Sequence, residues 1–229
     1  MRAVVLSGGL THDFPATTAC LTDLLAEQGV TAEVYTDVDA AFRALPGAAL
    51  LVVNALRWTM TSPGTPERYR VQAEKEGVRT SPAIHEALTA HLAAGGGLLG
   101  IHTASICFDD WPEWGTALGG AWVWGRSNHP PIGPTVTVRV AGEHPLVDGL
   151  DEFTIVDEVY GDLALQPDVT GLLTARQPGT DGPAQPLLWA REYGGGRVVY
   201  DALGHHPPSY EVPEHREIVR RAIRWVTGR

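Results

Sequence analysis

The sequence predicts an α/β fold: a doubly wound, mostly parallel sheet with helices on both faces. In the first half of the chain, short apolar strands alternate with amphipathic helices, and such alternation implies right-handed crossovers between parallel strands. The apolar run 98–101 is typical of a strand that is covered on both faces. Glycine, proline and capping residues stand where the helices are expected to begin and end. We expect a single domain over residues 1–229.

The first elements follow directly from this pattern. Residues 2–7 predict a strand, and Asp13 is expected to cap the helix that follows it. Gly29 ends that helix, because glycine readily adopts the left-handed conformation found at helix C-termini. Residues 31–36 and 48–53 predict the second and third strands of the sheet.

A long polar connection, residues 56–79, interrupts the alternation. A connection of this length between strong core elements is expected to be a flap or insertion. Ser81 and Pro82 then provide the cap and first-turn proline of another helix. Glycines 95–97 end it, and the buried strand 98–101 presents His102 where the strand stops.

The second half of the chain has a less regular pattern. A short helix is expected over 111–118 and a loop over 122–131. A final amphipathic helix is expected over 214–227. The strands predicted between them lie at residues 135–140, 171–176, 187–191 and 197–200.

Charge and composition exclude several classes of partner. A formal net charge of -10 argues against nucleic acid, whose phosphates require clustered Lys and Arg. No apolar run approaches the roughly 18 residues of a membrane span, so no membrane partner is expected. With only two cysteines and no apparent signal peptide, the chain is expected to be cytoplasmic. The oligomeric state is left open, with a homo-oligomer as one option.

Ionisable side chains recur after predicted strands and in Pro/Gly turns. Since ligands bind beyond the carboxyl ends of parallel strands, these groups are expected to share one cleft. The histidines in such positions are His12, His102, His129, His144 and His205, and the acidic pair Asp157-Glu158 has a similar setting. Clustered tryptophans follow His102, and Trp124 among them belongs either to the core or to a pocket wall on which sugars stack.

Three chemical schemes fit these residue types to different degrees. Nucleophilic catalysis is disfavoured, because the strand-to-helix elbow carries His102 and the nearest thiol, Cys107, lies five residues further on. A divalent metal such as zinc is the second scheme, with His102, His129, Glu158 and His205 as candidate ligands. The third is metal-free acid–base chemistry, in which His102 and Glu158 form the proton-transferring pair.

Several motifs in order resemble the ThuA-like, or trehalose-utilisation, family. They are 95–105 (GGGLLGIHTAS), 118–122 (LGGAW), 144–150 (HPLVDGL), 157–160 (DEVY), 186–200 (PLLWAREYGGGRVVY) and 203–205 (LGH), with 11–15 (THDFP) near the start. The resemblance implies a flavodoxin-like fold of the class I glutamine amidotransferase type. It also implies a role in bacterial sugar catabolism, including 3-keto derivatives of disaccharides.

The departures from true amidotransferases are informative. Those enzymes carry cysteine at the elbow and a downstream His-x-Glu motif, whereas this chain has His102 and the sequence His206-Pro207-Pro208. Glutaminase activity is therefore not expected. The resemblance instead favours one pocket that contains His102, His129, Asp157, Glu158 and His205.

The functional expectation is an enzyme that acts on a carbohydrate by acid–base or metal-assisted chemistry. The expected catalytic residues are His102, Glu158, Asp157 and His205, and the expected substrate-binding residues are His12, His129, Tyr160 and Trp124. The alternative is a non-catalytic sugar-binding or regulatory module on an amidotransferase-like scaffold. A structural subunit is a third option, supported only by the surplus of tryptophan.

Overall fold

The computed structural model describes residues 1–229 and contains eleven strands and seven α-helices. The strands are β1 (Arg2–Gly9), β2 (Thr31–Tyr35), β3 (Leu50–Leu56), β4 (Gly97–Ile101), β5 (Gly120–Ala121), β6 (Thr135–Val140), β7 (Phe153–Val156), β8 (Ala164–Leu165), β9 (Leu173–Ala175), β10 (Gln185–Tyr193) and β11 (Gly196–Asp201). The helices are α1 (Phe14–Glu27), α2 (Val38–Arg43), α3 (Glu67–Arg70), α4 (Ala73–Glu76), α5 (Pro82–Ala93), α6 (Pro112–Leu118) and α7 (Pro213–Val226). Two 3₁₀ helices lie at His102–Ser105 and Pro207–Glu211.

Nine of the strands form one sheet in the order β2-β1-β3-β4-β11-β10-β9-β6-β7. The first five of these strands run parallel to one another. The remaining four continue the sheet in antiparallel pairing. The α/β fold is thus confirmed, and the antiparallel extension is built from the less regular second half of the chain.

Helices cover both faces of the parallel region. Helix α1 packs against α7, and α2 packs against α5, while both pairs contact the same central strands. The apolar side of α7 is buried as its spacing predicts, with Ile218, Ala222 and Val226 in the core. None of the helices is long and apolar enough to cross a membrane.

Parallel pairing brings the carboxyl ends of β1, β3, β4 and β11 to one edge of the sheet. The loops that leave these ends carry His12, Trp58, His102 and His205. The site therefore lies at this edge, as expected for an open parallel sheet.

The insertion, residues 57–79, contains the two short helices α3 and α4. It is attached to the body of the protein by Asp109, whose carboxylate accepts hydrogen bonds from the Thr59 amide (2.7 Å) and hydroxyl (2.9 Å). Trp58 stacks on Trp124, with 6.0 Å between ring centroids. The insertion is thereby held over the sheet edge that carries the histidines.

Several strand boundaries differ from the expected ranges, and β5, β7 and β8 lie where the sequence pattern predicts no strand. The sequence predicts that the third strand ends at residue 53, whereas β3 continues to Leu56. The polar side chain of Asn54 is accommodated inside the protein because its amide donates hydrogen bonds to Thr17 and Thr18 of α1. Just before the predicted loop 122–131, β5 pairs with β8 in a separate two-stranded sheet. Each of these strands has only two residues, which is too short for a recognisable sequence pattern.

Candidate active site

His102 occupies a strained turn at the end of β4. Its φ angle is +47°, in the left-handed region that residues other than glycine rarely adopt. Gly100 makes the turn possible, because a Cβ at that position would lie 2.6 Å from the Leu118 side chain and 3.2 Å from the Cβ of Ala104. This geometry aims the buried imidazole toward the sheet edge.

The hydrogen bonds of His102 determine which nitrogen faces the site. Nδ1 lies 2.7 Å from the carbonyl oxygen of Ala202, so it carries a proton and donates it there. Nε2 is left facing Glu158 Oε2 (3.3 Å), His205 Nδ1 (3.2 Å) and the Tyr160 hydroxyl (3.0 Å). This arrangement, with one nitrogen tied to the backbone, is typical of a metal-binding or proton-transferring histidine.

His205 and Glu158 complete the inner contacts. His205 Nδ1 lies 3.3 Å from the same Oε2 atom of Glu158. The other carboxylate oxygen of Glu158 lies 3.2 Å from His129 Nδ1. Glu158 is therefore contacted on both oxygens by imidazole rings.

Asp157 lies behind the site rather than in it. Its buried carboxylate accepts hydrogen bonds from the amides of Glu158 (2.7 Å) and Gly204 (2.8 Å) and from the hydroxyl of Ser209 (2.5 Å). Successive side chains on an extended segment point in opposite directions, which is why adjacent acids have different surroundings. Asp157 thus positions the loop that carries His205 and does not line the cavity.

His12 approaches from the loop after β1. Its Nδ1 lies 3.3 Å from the carbonyl oxygen of Leu10. Its Nε2 is buried and has no hydrogen-bond partner, an arrangement that proteins seldom leave uncompensated. The ring packs edge-on against His205, with 4.6 Å between centroids.

Four side chains therefore form what we call the His–Glu cluster: His12, His102, Glu158 and His205. Their ligand atoms all lie within 4.8 Å of one another. Ligands about 2.0–2.1 Å from a tetrahedral zinc ion lie about 3.3–3.4 Å apart, close to the 3.2–3.3 Å contacts among His102, His205 and Glu158. The donor set, including the orphaned nitrogen of His12, fits a divalent metal.

The protonation equilibria of the cluster are strongly shifted. Burial alone would raise the pKa of Glu158, but hydrogen bonds with His102 and His205 outweigh it and hold that pKa well below its usual range. Burial, with the charges of His102 and His205, lowers the pKa of His12 to about 4. At neutral pH the cluster thus offers a carboxylate and at least one neutral imidazole, the forms that bind metals.

A cavity of about 460 Å³ opens onto the cluster and is called here the aromatic cavity. Three members of the cluster, His12, Glu158 and His205, line it. The rest of its wall includes Leu56, Trp58, Tyr69, Ile106, Trp122, Trp124, His129 and Tyr160. Burial raises the pKa of Tyr160 well above its usual value, so its hydroxyl stays protonated. The predicted substrate-binding residues Trp124, His129 and Tyr160 all line this cavity.

Three sequence-based expectations need adjustment. The metal-ligand candidates included His129, but the structure places His12 in the cluster and His129 on the far oxygen of Glu158. The Asp157 side chain is turned away from the cavity. His144 is remote from the other histidines and packs against Trp225, with 5.1 Å between centroids.

The thiol nearest to the elbow is not poised for catalysis. Cys107 is buried and donates a hydrogen bond to the Ala55 carbonyl oxygen (3.1 Å). Burial raises the pKa of this thiol to about 12, which removes the thiolate at neutral pH.

Comparison with known proteins gives the same fold over the whole chain. A solved ThuA-like protein from Parabacteroides merdae is 16% identical, with a TM-score of 0.77 over 99% of this chain and 90% of that chain. A ThuA-like protein from Bacteroides uniformis is 20% identical, with a TM-score of 0.69 over 99% and 91%. A protein from Salmonella typhimurium described as cytoplasmic is 13% identical, with a TM-score of 0.65 over 99% of both chains.

The sequence itself carries the family signature. No curated protein matches the chain. The model of the ThuA family, described as trehalose utilisation, matches residues 2–226. The chain therefore belongs to the ThuA family.

Proposed function

We propose that this protein is an enzyme of carbohydrate metabolism that acts on a sugar or keto-sugar by metal-assisted acid–base chemistry. The observation that carries the proposal is the His–Glu cluster, three of whose members line the aromatic cavity. Membership of the ThuA family supports a role related to trehalose utilisation. The substrate and the reaction are our inference from the residues around the cavity.

His12, His102, Glu158 and His205 would hold the metal, for which zinc fits the nitrogen and oxygen donors. A metal bound there would polarise a carbonyl or hydroxyl oxygen of the sugar. The Nδ1 atoms of His12 and His102 face backbone carbonyl oxygens, which fixes the rings with Nε2 inward.

His129 is the histidine best placed to move a proton. Its Nδ1 contacts Glu158 Oε1 (3.2 Å) and the Pro130 carbonyl oxygen (3.0 Å), so Nε2 is the atom left to accept a proton from the substrate. The Glu158 carboxylate stabilises the imidazolium that forms. Burial alone would lower the pKa of His102, but its hydrogen bond with Glu158 outweighs that effect and raises the pKa in the metal-free protein. The Tyr160 hydroxyl lies 3.0 Å from Nε2 of the same ring.

The aromatic wall is suited to a sugar ring. The faces of Trp122 and Trp124 can pack against the C–H groups of a pyranose, while its hydroxyls reach the polar end of the cavity. The two indoles lie edge to face, with 5.7 Å between centroids. Buried Cys107 with its raised pKa further argues against thiol-dependent glutaminase chemistry.

The test is NMR detection of product from trehalose and its 3-keto derivative. We expect turnover by the zinc-loaded wild type and a loss of about 10²- to 10⁴-fold in His102→Ala and in His129→Ala. Only His102→Ala should also lose metal. His144→Ala, at the remote histidine, is the matched control and should retain activity.

Equal turnover by wild type and His102→Ala would refute the role of the cluster. The second candidate function, a sugar-binding module, predicts a different result. It would be favoured if calorimetry shows sugar binding while prolonged incubation yields no product.

A further inference from the structure

A second cavity, of about 370 Å³, lies beside the aromatic cavity. Ile106, Trp122 and Trp124 line both cavities, so the two adjoin at these residues. On its other sides the second cavity is bounded by the segment that follows His102 and by α6. None of the His–Glu cluster lines it, so it is no part of the chemistry proposed above. A ligand in one cavity would adjoin a ligand in the other.

The side-chain hydroxyl, thiol and carboxylate groups of the second cavity are already paired within the protein. The Ser105 hydroxyl bonds to Tyr200 (2.9 Å), the Cys107 thiol to Ala55 (3.1 Å), and Asp109 accepts from Thr59 (2.7 Å) and from Ser62. A sugar bound here would leave several hydroxyls without partners, at a cost of about 1–3 kcal/mol for each. Apart from the unpaired Nε1 of Trp122, the side chains of this cavity therefore have few free hydrogen-bonding groups for a second sugar ring.

The remaining wall is dominated by aromatic rings. Phe108 and Trp114 meet edge to face with 5.0 Å between centroids, and Trp111 lies 6.3 Å from Trp114. Aromatic ligands favour such offset and edge-to-face contacts. A dry apolar cavity of roughly 150 Å³ is enough to bind benzene, so this one is large enough for a substituted ring.

We propose that the second cavity binds the aromatic aglycone of a glycoside whose sugar ring lies in the aromatic cavity. Because Ile106, Trp122 and Trp124 line both cavities, the bond between sugar and aglycone would lie beside these residues. The choice of a glycoside rests on the proposed function, whereas the preference for an aromatic ring rests on the second cavity alone.

The ring preference is tested with 4-fluorophenol by ¹⁹F NMR titration. Val123 lines the second cavity and is 36% exposed, so Val123→Phe should fill the cavity without disturbing the core. Its matched control is Val156→Phe, at a valine that is 38% exposed on the edge strand β7. We expect binding by wild type and by Val156→Phe, and affinity at least about tenfold weaker in Val123→Phe.

Absent binding, or equal affinity in wild type and Val123→Phe, would overturn the proposal. Ala121→Val, from another part of the same wall, gives a second filling variant if Val123→Phe does not fold. It should weaken 4-fluorophenol binding in the same direction.

The glycoside assignment is tested by calorimetry with phenyl and methyl β-D-glucoside. We expect the phenyl glycoside to bind at least about tenfold more tightly than the methyl glycoside, and Val123→Phe to abolish that difference. Turnover of sugars without any phenyl preference would overturn this inference and leave the proposed function standing. If the protein binds 4-fluorophenol but neither glucoside, the glycoside assignment is wrong. If no sugar is turned over, the result counts against the proposed function instead.

Discussion

At the scale of single residues, the adjacent acids Asp157 and Glu158 have different roles in the site. Glu158 faces imidazoles on both carboxylate oxygens. Asp157 faces backbone amides and the Ser209 hydroxyl, so it fixes where Glu158 and His205 lie. One buried acid thus faces the histidines of the cluster, and its neighbour fixes the position of the loop behind it.

Asp157→Asn tests this positioning role. An amide nitrogen cannot accept hydrogen bonds, so at least one buried donor loses its partner, and we expect the free energy of unfolding to fall by about 1–3 kcal/mol. Zinc affinity should fall with it, because His205 is displaced. Denaturant unfolding and chelator competition measure the two effects. Asp151→Asn, at an exposed acid, should change neither, and an unchanged zinc affinity in Asp157→Asn would argue against positioning.

At the scale of elements, the insertion forms one wall of the aromatic cavity through a close backbone contact. Gly64 has a φ angle of +84°, and a Cβ there would lie 2.7 Å from the backbone of Trp124. Only glycine allows the insertion to approach the Trp124 loop this closely. The contact brings Trp58 and Tyr69 against Trp124.

Gly64→Ala should therefore open the aromatic cavity. We expect weaker sugar binding with unchanged zinc content, because the His–Glu cluster lies on other loops. Gly47→Ala is the matched control: its φ angle is +74°, but no atom lies within 4 Å of an added Cβ. Both variants should lose roughly 1–2 kcal/mol of stability from the left-handed conformation, and only Gly64→Ala should raise KM. An equal effect on KM in both would contradict the proposed contact.

The sequence predicts some elements of the site better than others. His102 follows a recognisable buried strand and a glycine-rich turn, so its place at the sheet edge can be read from local pattern. The place of His12 depends on a loop in which Thr11 has a φ angle of +67°, which spacing along the chain does not reveal. The second cavity is lined by residues between 105 and 124, together with Ser62 and Pro63 of the insertion. Its shape depends on how the loops on both sides of α6 fold against each other, so no local pattern predicts it.

At the scale of the whole molecule, a buried hydrogen bond between a histidine and a carboxylate couples the last helix to the sheet. His215 of α7 contacts Asp201 at the end of β11, with 3.0 Å between Nε2 and Oδ2. Burial alone would lower the pKa of His215, but the charge and hydrogen bond of Asp201 outweigh it and raise that pKa above 6.5. A raised folded-state pKa contributes stability that is complete below about pH 6.5 and is lost as pH rises through the folded value.

The free energy of unfolding should accordingly decrease as pH rises above about 6.5, and His215→Gln should remove that part of the decrease. Denaturant unfolding between pH 6 and about 9 measures the difference between the two proteins. His144→Gln is the control, because burial lowers the pKa of His144 and its contribution is constant above about pH 6.5. Parallel pH profiles for wild type and His215→Gln would show that the pair is uncharged in the folded protein.

The zinc stoichiometry of the purified protein tests most directly whether the His–Glu cluster binds a metal. It is measured by elemental analysis after equilibration with zinc and gel filtration. We expect about one equivalent of zinc in wild type and in His144→Ala, and little in His102→Ala or His205→Ala. Zinc at 100 times its Kd should also stabilise wild type by about 2.7 kcal/mol. A wild-type protein that binds no zinc, or the same zinc content in His205→Ala, would contradict the assignment of the His–Glu cluster as a metal centre.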